Sequence, residues 1–368
     1  MSEYFDLSFF PKIMKYSNNP DTFKEYSVYI GAAGFEDRCL RVLKNFQDAR
    51  KQISYVIGIK YLPKQMNNLE GDFKEIGDKI STNAFKWLEY DRFNPENFYE
   101  EFKIILEFFS TKHNILIDIS GMSKFLIIIL LEAFEKFPNN ITIIYCEAEI
   151  YHPTIDEFSD GKKQIPDNLP PSFLTTDIFK IVTTSKLSNQ TMQGYPYLII
   201  AFPTFNYKEI FTLLNTISPK YLVIIEGIPH YTPNEWRMNA IRDINKSISK
   251  DFEPTLEDKI CCYKASTFEY IETIRVLLEC YSKFKYQYKC IIAPTGSKLQ
   301  AVGTFFFKMI YPEINFVYPV TKGFSEIYTT GCENIWYIQI PKYSEFIDIL
   351  KSMRNLRLKR MHDEYLSD

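Results

Sequence analysis

Short apolar runs and longer segments of helical spacing alternate along most of the chain. Runs near 27–32, 53–60, 86–90, 114–119 and 141–147 have strand length and are rich in Ile, Val, Leu and Tyr. Segments 35–46, 65–81, 95–110 and 121–137 between them carry apolar residues at helical intervals. Several of the strands are nearly continuous apolar runs, which predicts a parallel sheet covered by helices on both faces. The same alternation returns further on. Strands are expected near 196–202, 221–226, 259–263, 288–293 and 314–319, and helices near 206–216, 233–247, 267–284 and 298–309.

The two series match in order and spacing. Val28–Phe35 matches Leu198–Phe205, Tyr55–Ile59 matches Leu222–Glu226, and Trp87–Tyr90 matches Cys261–Tyr263. Ser120-Gly121 matches Thr295-Gly296, and Ile141–Tyr145 matches Ile314–Tyr318. Recurrence of one unit at fixed order is the mark of an internal duplication. The fold class expected is α/β, with two tandem Rossmann-like domains, each a mainly parallel sheet flanked by helices. The first covers 1–151 and the second 191–342. The segment 152–190, with Pro153, Pro166, Pro170 and Pro171 among polar residues, reads as a linker with room for one short helix or hairpin. Phe324–Tyr328 and Trp336–Ile340 read as a short C-terminal β element. A helical tail at 343–368 carries Arg354, Arg357, Lys359 and Arg360, as a solvated helix face or a docking surface.

Composition narrows the function classes. The 368 residues have a net charge of −3, so a general nucleic-acid binder with its basic excess is not expected. The seven cysteines include no CxxC pair, and Cys39, Cys146, Cys261, Cys262, Cys280 and Cys290 read as reduced core residues of a cytoplasmic protein. The four histidines lack ligand spacing, so no metal site is expected, and nothing calls for a cofactor. The start Met1–Asp6 lacks the basic-then-apolar pattern of a signal peptide. The longest apolar stretch, 125–133, is too short to span a membrane and reads as a buried helix.

Ligands of open parallel sheets bind beyond the carboxyl ends of the strands, so the turns there are the candidate sites. After the fourth strand of each series comes a hydroxyl residue, Gly, a second hydroxyl residue and Lys. The first series has Asp118, Ser120, Gly121, Ser123 and Lys124; the second has Thr295, Gly296, Ser297 and Lys298, lacks the Asp and is one residue shorter. Backbone N–H groups, hydroxyls and an ammonium at a helix N-terminus suit a phosphate or another anion. The same residues also suit a plain helix cap. The first-strand turn adds Gly31 and Gly34, which allow close approach to backbone, and Arg38, suited to phosphate. Its other reading is a helix start with Glu36 and Asp37 at the positive end.

The motif Asp118-Ile119-Ser120-Gly121-Met122-Ser123-Lys124 between a strand and a helix resembles the fourth-strand motif of the CARF superfamily, Rossmann-fold sensors of cyclic oligonucleotides. A tandem pair of such domains is similar to the SAVED sensors of antiphage signalling. The resemblance implies a cyclic oligonucleotide, or another phosphate-bearing small ligand, held between two CARF-like halves. Ser120, Ser123, Lys124, Thr295, Ser297 and Lys298 would then hold phosphates, with Gly121 and Gly296 admitting the backbone contact. No effector domain is visible in the sequence, so the output would pass to a partner protein, such as a separately encoded effector, or through self-assembly. Arg357–His362 fits a bare RxxxxH spacing without supporting residues. Two further readings stay open: a nucleotide- or phosphosugar-processing enzyme of ring-nuclease type, and an adaptor with no small ligand.

Overall fold

The structure is a computed structural model and describes residues 6–16, 26–65, 67–105, 113–163, 173–256, 260–324 and 328–353, without the side chains of 247, 249–251 and 253–256. The first series comprises β1 (Met14–Lys15), β2 (Val28–Ala32), α1 (Arg41–Asp48), β3 (Ile53–Leu62), α2 (Glu70–Ile80), β4 (Ser81–Asp91), α3 (Phe98–Lys103), β5 (Asn114–Asp118), α4 (Lys124–Ala133) and β6 (Asn140–Cys146). β7 (Ile150–Tyr151), α5 (Ile155–Lys163) and β8 (Ile178–Val182) lead onward. The second series is β9 (Tyr197–Ala201), α6 (Tyr207–Ile217), β10 (Tyr221–Ile228), α7 (Trp236–Leu256), β11 (Ile260–Ser266), α8 (Tyr270–Phe284), β12 (Lys289–Ala293), α9 (Lys298–Ile310) and β13 (Asn315–Phe316). β14 (Tyr318–Thr321), β15 (Thr329–Thr330), β16 (Ile335–Ile340) and α10 over 343–353 follow. The basic tail from Arg354 and the RxxxxH segment lie outside the described residues.

Both series build a parallel sheet with one strand order. The first runs β4-β3-β2-β5-β6 and the second β11-β10-β9-β12-β13, so each places its strands third, second, first, fourth, fifth. Two tandem Rossmann-like sheets, as the pattern predicts, are therefore present. The C-terminal β element has a role its sequence does not announce: β16 pairs antiparallel with β6 and carries β1 on its outer edge, making the first sheet seven-stranded. The strand expected at 314–319 divides. Asn315–Phe316 stays in the sheet, and the chain then turns to pair β14 with β8. Pro319, which has no N–H for a central ladder, sits in that two-stranded ribbon.

Register fixes which residues are equivalent. Gly31 pairs with Asp118 in the first sheet and Ala201 with Ala293 in the second, as the matched runs require. For the second strands the ladder differs from the sequence match by one residue. Val28 faces Tyr55, whereas Leu198 faces Tyr221 and not Leu222. Strands buried on both faces lack the alternation that would fix register in the sequence. Tyr61, paired with Tyr90, is therefore the counterpart of Gly227, paired with Ala265.

The core explains the contact between halves. α4 is apolar all round and buried from Phe125 to Ala133, and every residue of α9 from Leu299 to Ile310 is buried. A helix without a polar face must be enclosed. These two pack against each other between the sheets, inside one hydrophobic cluster that includes both series. Lys308 is tolerated there because its Nζ donates to Pro312 O and Ile314 O at 2.9 and 2.6 Å. Cys39, Cys280 and Cys290 are buried as expected, but Cys262 is exposed. Cys146 is not a free thiol: it forms a disulfide with Cys332, the Cα atoms 6.0 Å apart, because β16 brings the preceding loop back to the end of β6.

Close approach makes one glycine obligatory. A Cβ at Gly121 would lie 2.3 Å from Ala32 O and 2.7 Å from Cys39 Cβ. Gly121→Ala should lower stability by roughly 1–3 kcal/mol, the usual cost of overpacking. Gly71 in α2 has nothing within 4 Å of its Cβ position, so Gly71→Ala should raise stability by about 0.4–1 kcal/mol. Urea unfolding midpoints of the two variants should move in opposite directions.

Candidate functional site

The two glycine turns end in the N-termini of α4 and α9, and both are built as caps. Ser123 Oγ accepts from Leu126 N, and Ser297 Oγ accepts from Gln300 N. The next donor is satisfied differently in each half. Ser123 N donates to the Tyr61 hydroxyl at 2.7 Å, while Ser297 N donates to Gln300 Oε1 at 2.8 Å, closing a capping box. Upstream, Asp118 accepts from Ser120 N at 2.9 Å and from the Tyr29 hydroxyl at 2.8 Å. Burial pushes the Asp118 carboxyl up to about 6, against the pull of those hydrogen bonds. Ser120 Oγ accepts from Cys146 N, and the Thr295 hydroxyl donates to Phe202 O.

Two cavities open beside these turns. The larger, about 260 Å³, lies over the second half and is lined by Thr295, Gly296, Ser297 and Gln300, with Arg38 and Tyr151 reaching in from the first. The smaller, about 90 Å³, lies over the first half and is lined by Gly34, Tyr61, Tyr90, Gly121 and Ser123, with Glu209 and Tyr318 from the second. Lys124 and Lys298 line both.

The charges around that shared wall are unequal. Lys298 Nζ donates to Met122 O at 2.6 Å and sits 3.7 Å from Glu36 Oε2. Met122 is the residue the second turn lacks, so the extra length of the first turn supplies the carbonyl that holds the other half's lysine. Burial pulls the Lys298 ammonium down to about 7; Glu36 opposes this, while Arg38 and Lys124 add to it. Glu36 is itself buried, accepts from Arg38 and Thr329, and is held below the ordinary carboxylate range by Arg38 and Lys298 despite its burial. Arg38 donates to Glu36 at 2.8 Å and to Tyr145 and Cys146 O, which leaves its Nε buried without a partner. Lys124 has no hydrogen bond and no ion pair among the described residues. Burial works against its charge, but Tyr328, Tyr318, Glu209 and Glu36 outweigh it and hold the ammonium above the usual lysine range. Burial raises Glu209 to about 7, moderated by Lys124 and by the Thr204 hydroxyl.

The residues singled out in the sequence fall into two groups. Arg38, Lys124, Thr295, Gly296, Ser297 and Lys298 line the larger cavity, and Gly34, Gly121 and Ser123 the smaller. Gly31, Asp118 and Ser120 line neither; Asp118 and Ser120 lock the first turn from beneath, and Gly31 pairs with Asp118 in the sheet. Gln300 and Glu209 also border the cleft but stand outside the turn motifs that the sequence singles out. The Ser297-Lys298-Leu299-Gln300 spacing is a capping-box signal that was available for the first. No local signal exists for Glu209, which reaches the site only through the docking of the halves. Among the described residues no cluster of metal-ligating side chains occurs, and no helix is long and apolar enough to cross a membrane.

No family model and no curated protein matches this sequence. Among solved structures it is similar to a Type III CRISPR defence DNA nuclease activated by cyclic oligoadenylate, with a TM-score of 0.43 and 7% identity over 76% of this chain. The chain spans 63% of that nuclease's length. It is also similar to the cytoplasmic domain of a prokaryotic cation chloride cotransporter, with a TM-score of 0.23 and 10% identity over 80% of this chain and 95% of that one. A functionally unknown protein from Pseudomonas aeruginosa PAO1 has a TM-score of 0.22 and 7% identity, over 92% of this chain and 99% of that one. None of the three bears on what the cleft binds.

Lys298 gives the fold a definite pH signature. The unfolded chain holds this proton to about pH 10.4. Between about 7 and 10.4 the unfolded state therefore binds more protons, and stability rises with pH by up to about 1.4 kcal/mol per unit. Urea midpoints from pH 6.5 to 9 should climb more steeply in the parent than in Lys298→Met. A second expectation concerns Glu36. Glu36→Ala leaves Arg38 and Lys298 without their counter-charge and should cost about 3–5 kcal/mol in the same measurement.

Proposed function

We propose that the chain is a cytoplasmic sensor of a nucleotide-derived anion, a cyclic oligonucleotide by the resemblance of its first glycine turn, and that it signals to a separately encoded effector in antiphage defence. The observation that carries this reading is the meeting of Lys124 and Lys298, one from each half, on the wall common to both cavities. Lys124 has no anionic partner at ion-pair distance among the described residues, and an ammonium in a half-enclosed cleft gains most from a bound anion. The N-terminus of α9 lies on the same side, where the positive end of the helix dipole favours an anion. Arg38, Thr295, Gly296 and Ser297 complete the anion-facing set, and Gly34, Gly121 and Ser123 belong to the smaller chamber. Asp118 and Ser120 serve it indirectly, by fixing the turn, with Gly31 beside Asp118 on the neighbouring strand.

A second reading has its own observation. Lys298 and Glu209, both held at about 7, border the same cleft and can exchange protons at neutral pH. Phosphodiester cleavage of a bound cyclic oligonucleotide by its own ribose hydroxyl would need no more than such a group and lysines to stabilise the phosphate charge.

Calorimetric titration with cyclic di-, tri- and tetranucleotides tests the sensor. Binding is expected, and Lys124→Ala and Lys298→Ala should each weaken it roughly tenfold to a hundredfold, the loss of one charge-assisted hydrogen bond. Absence of binding, or binding indifferent to both substitutions, removes the reading. Turnover of a labelled cyclic oligonucleotide, abolished by Lys298→Ala, would establish the enzyme instead.

A further inference from the structure

We propose that the cleft is one-sided: it seats a single heterocycle, the base of a nucleotide, in the second half's cavity above the N-terminus of α9, with that nucleotide's phosphate at Lys124 and Lys298. This deepens the sensor reading and rests on it. A duplicated fold would be expected to offer two equivalent seats, and the residues that differ between the halves remove one of them.

The first difference is at the second strand. In the first half, Tyr61 projects over the start of α4, accepting from Ser123 N at 2.7 Å and donating to Gly121 O at 3.1 Å. The ring occupies the place where an anion at that helix terminus would lie. Its counterpart is Gly227, which has no side chain to cover α9. The third strand repeats the contrast, with Tyr90 in the first half and Ala265 in the second. Tyr61 and Tyr90 both wall the smaller cavity, of about 90 Å³, whereas of their counterparts Gly227 alone lines the larger, of about 260 Å³.

The second difference is a hydrogen-bond donor. Gln300 is 2% exposed and lines the larger cavity. Its Oε1 is used in the cap, but its Nε2 is buried without a partner. A buried donor left unpaired is unfavourable and marks a place for an acceptor. The carbonyls and ring nitrogens of nucleobases are such acceptors. The same position of α4 is Leu126, which offers none. Phe202, Phe205, Tyr151 and His230 wall the larger cavity, which suits a flat ring better than a bare phosphate. Its volume is below the roughly 300–1,000 Å³ of pockets for drug-sized ligands, so it holds one nucleoside-sized group and not two.

The test copies first-half residues into the second half. Binding of cyclic di-, tri- and tetranucleotides and of the four nucleoside 5′-monophosphates is measured by calorimetry, with folding checked by circular dichroism. The expected stoichiometry is one ligand per chain. Gln300→Leu, copying Leu126, should weaken binding roughly tenfold. Gly227→Tyr, copying Tyr61, should weaken it roughly a hundredfold or more by occupying the seat. The double variant rebuilds the first half's cap, with a tyrosine in place of the Gln300 oxygen, and should fold without binding. If Gly227→Tyr does not fold, Gln300→Leu decides. Gln65→Tyr, on the rim of the smaller cavity, should change affinity by less than about threefold, since the seat lies elsewhere. Two equivalents per chain, or a greater loss from Gln65→Tyr than from the second-half variants, would overturn the proposal. Binding that needs the lysines but neither Gly227 nor Gln300 overturns it while leaving the sensor reading intact. No binding of any of these nucleotides overturns both.

Discussion

The burial of two helices with no polar face governs the architecture. α4 and α9 have nowhere to lie except between the sheets and against each other. Each begins immediately after a glycine turn, so packing the helices together brings the two turns together. The juxtaposition of Lys124 and Lys298 is then a by-product of hydrophobic enclosure. Neither lysine is drawn to the other, because like charges in a half-buried space repel. Glu36 offsets that repulsion from the first half, with Arg38 as its own partner.

Duplication provides two copies of a part, and the differences between them show what the site has become. The first turn, one residue longer, uses the carbonyl of Met122 to hold Lys298. It also gives up its helix terminus to Tyr61. The second turn caps itself with Gln300 and leaves its terminus facing open space. Cap and anion seat are therefore not rival descriptions of these turns. The equivalent backbone donor is taken by a tyrosine from a neighbouring strand in one half and by the helix's own Gln300 in the other, and the strand residue, Tyr61 or Gly227, decides whether a larger cavity is left above the terminus.

Much of the frame was legible from apolar runs and their order, because strands buried on both faces and helices between them leave a strong pattern. The edge strand β4 extends well before the apolar run at 86–90 that marks it, because Ser81, Thr82 and Asn83 are polar and one flank of that strand is exposed. The lysines, glycines and hydroxyls of the turns were also legible. Their orientation was not. Asp118 and Ser120 stand in the same short motif as Lys124 yet point into the fold, where Tyr29 and Cys146 N take their polar groups. The one-residue offset in the second strand pair hid the replacement of Tyr61 by Gly227, because a continuous apolar run reads alike in either register. Glu209 and the union of β16 with β6 depend on contacts between distant segments, for which short-range patterns carry no information.

The position of β16 has a consequence for the order in which the chain can be built. A ribosome completes the parallel strands of the first sheet about two hundred residues before it releases Ile340. Through that interval the outer edge of β6 presents unpaired backbone donors and acceptors, the kind of edge that recruits foreign strands. The nascent first half is thus an unfinished object whose natural closing piece has yet to be synthesised. Truncations that end near the linker leave the same edge uncovered, so a fragment carrying only the first five parallel strands carries an aggregation hazard that the whole chain conceals.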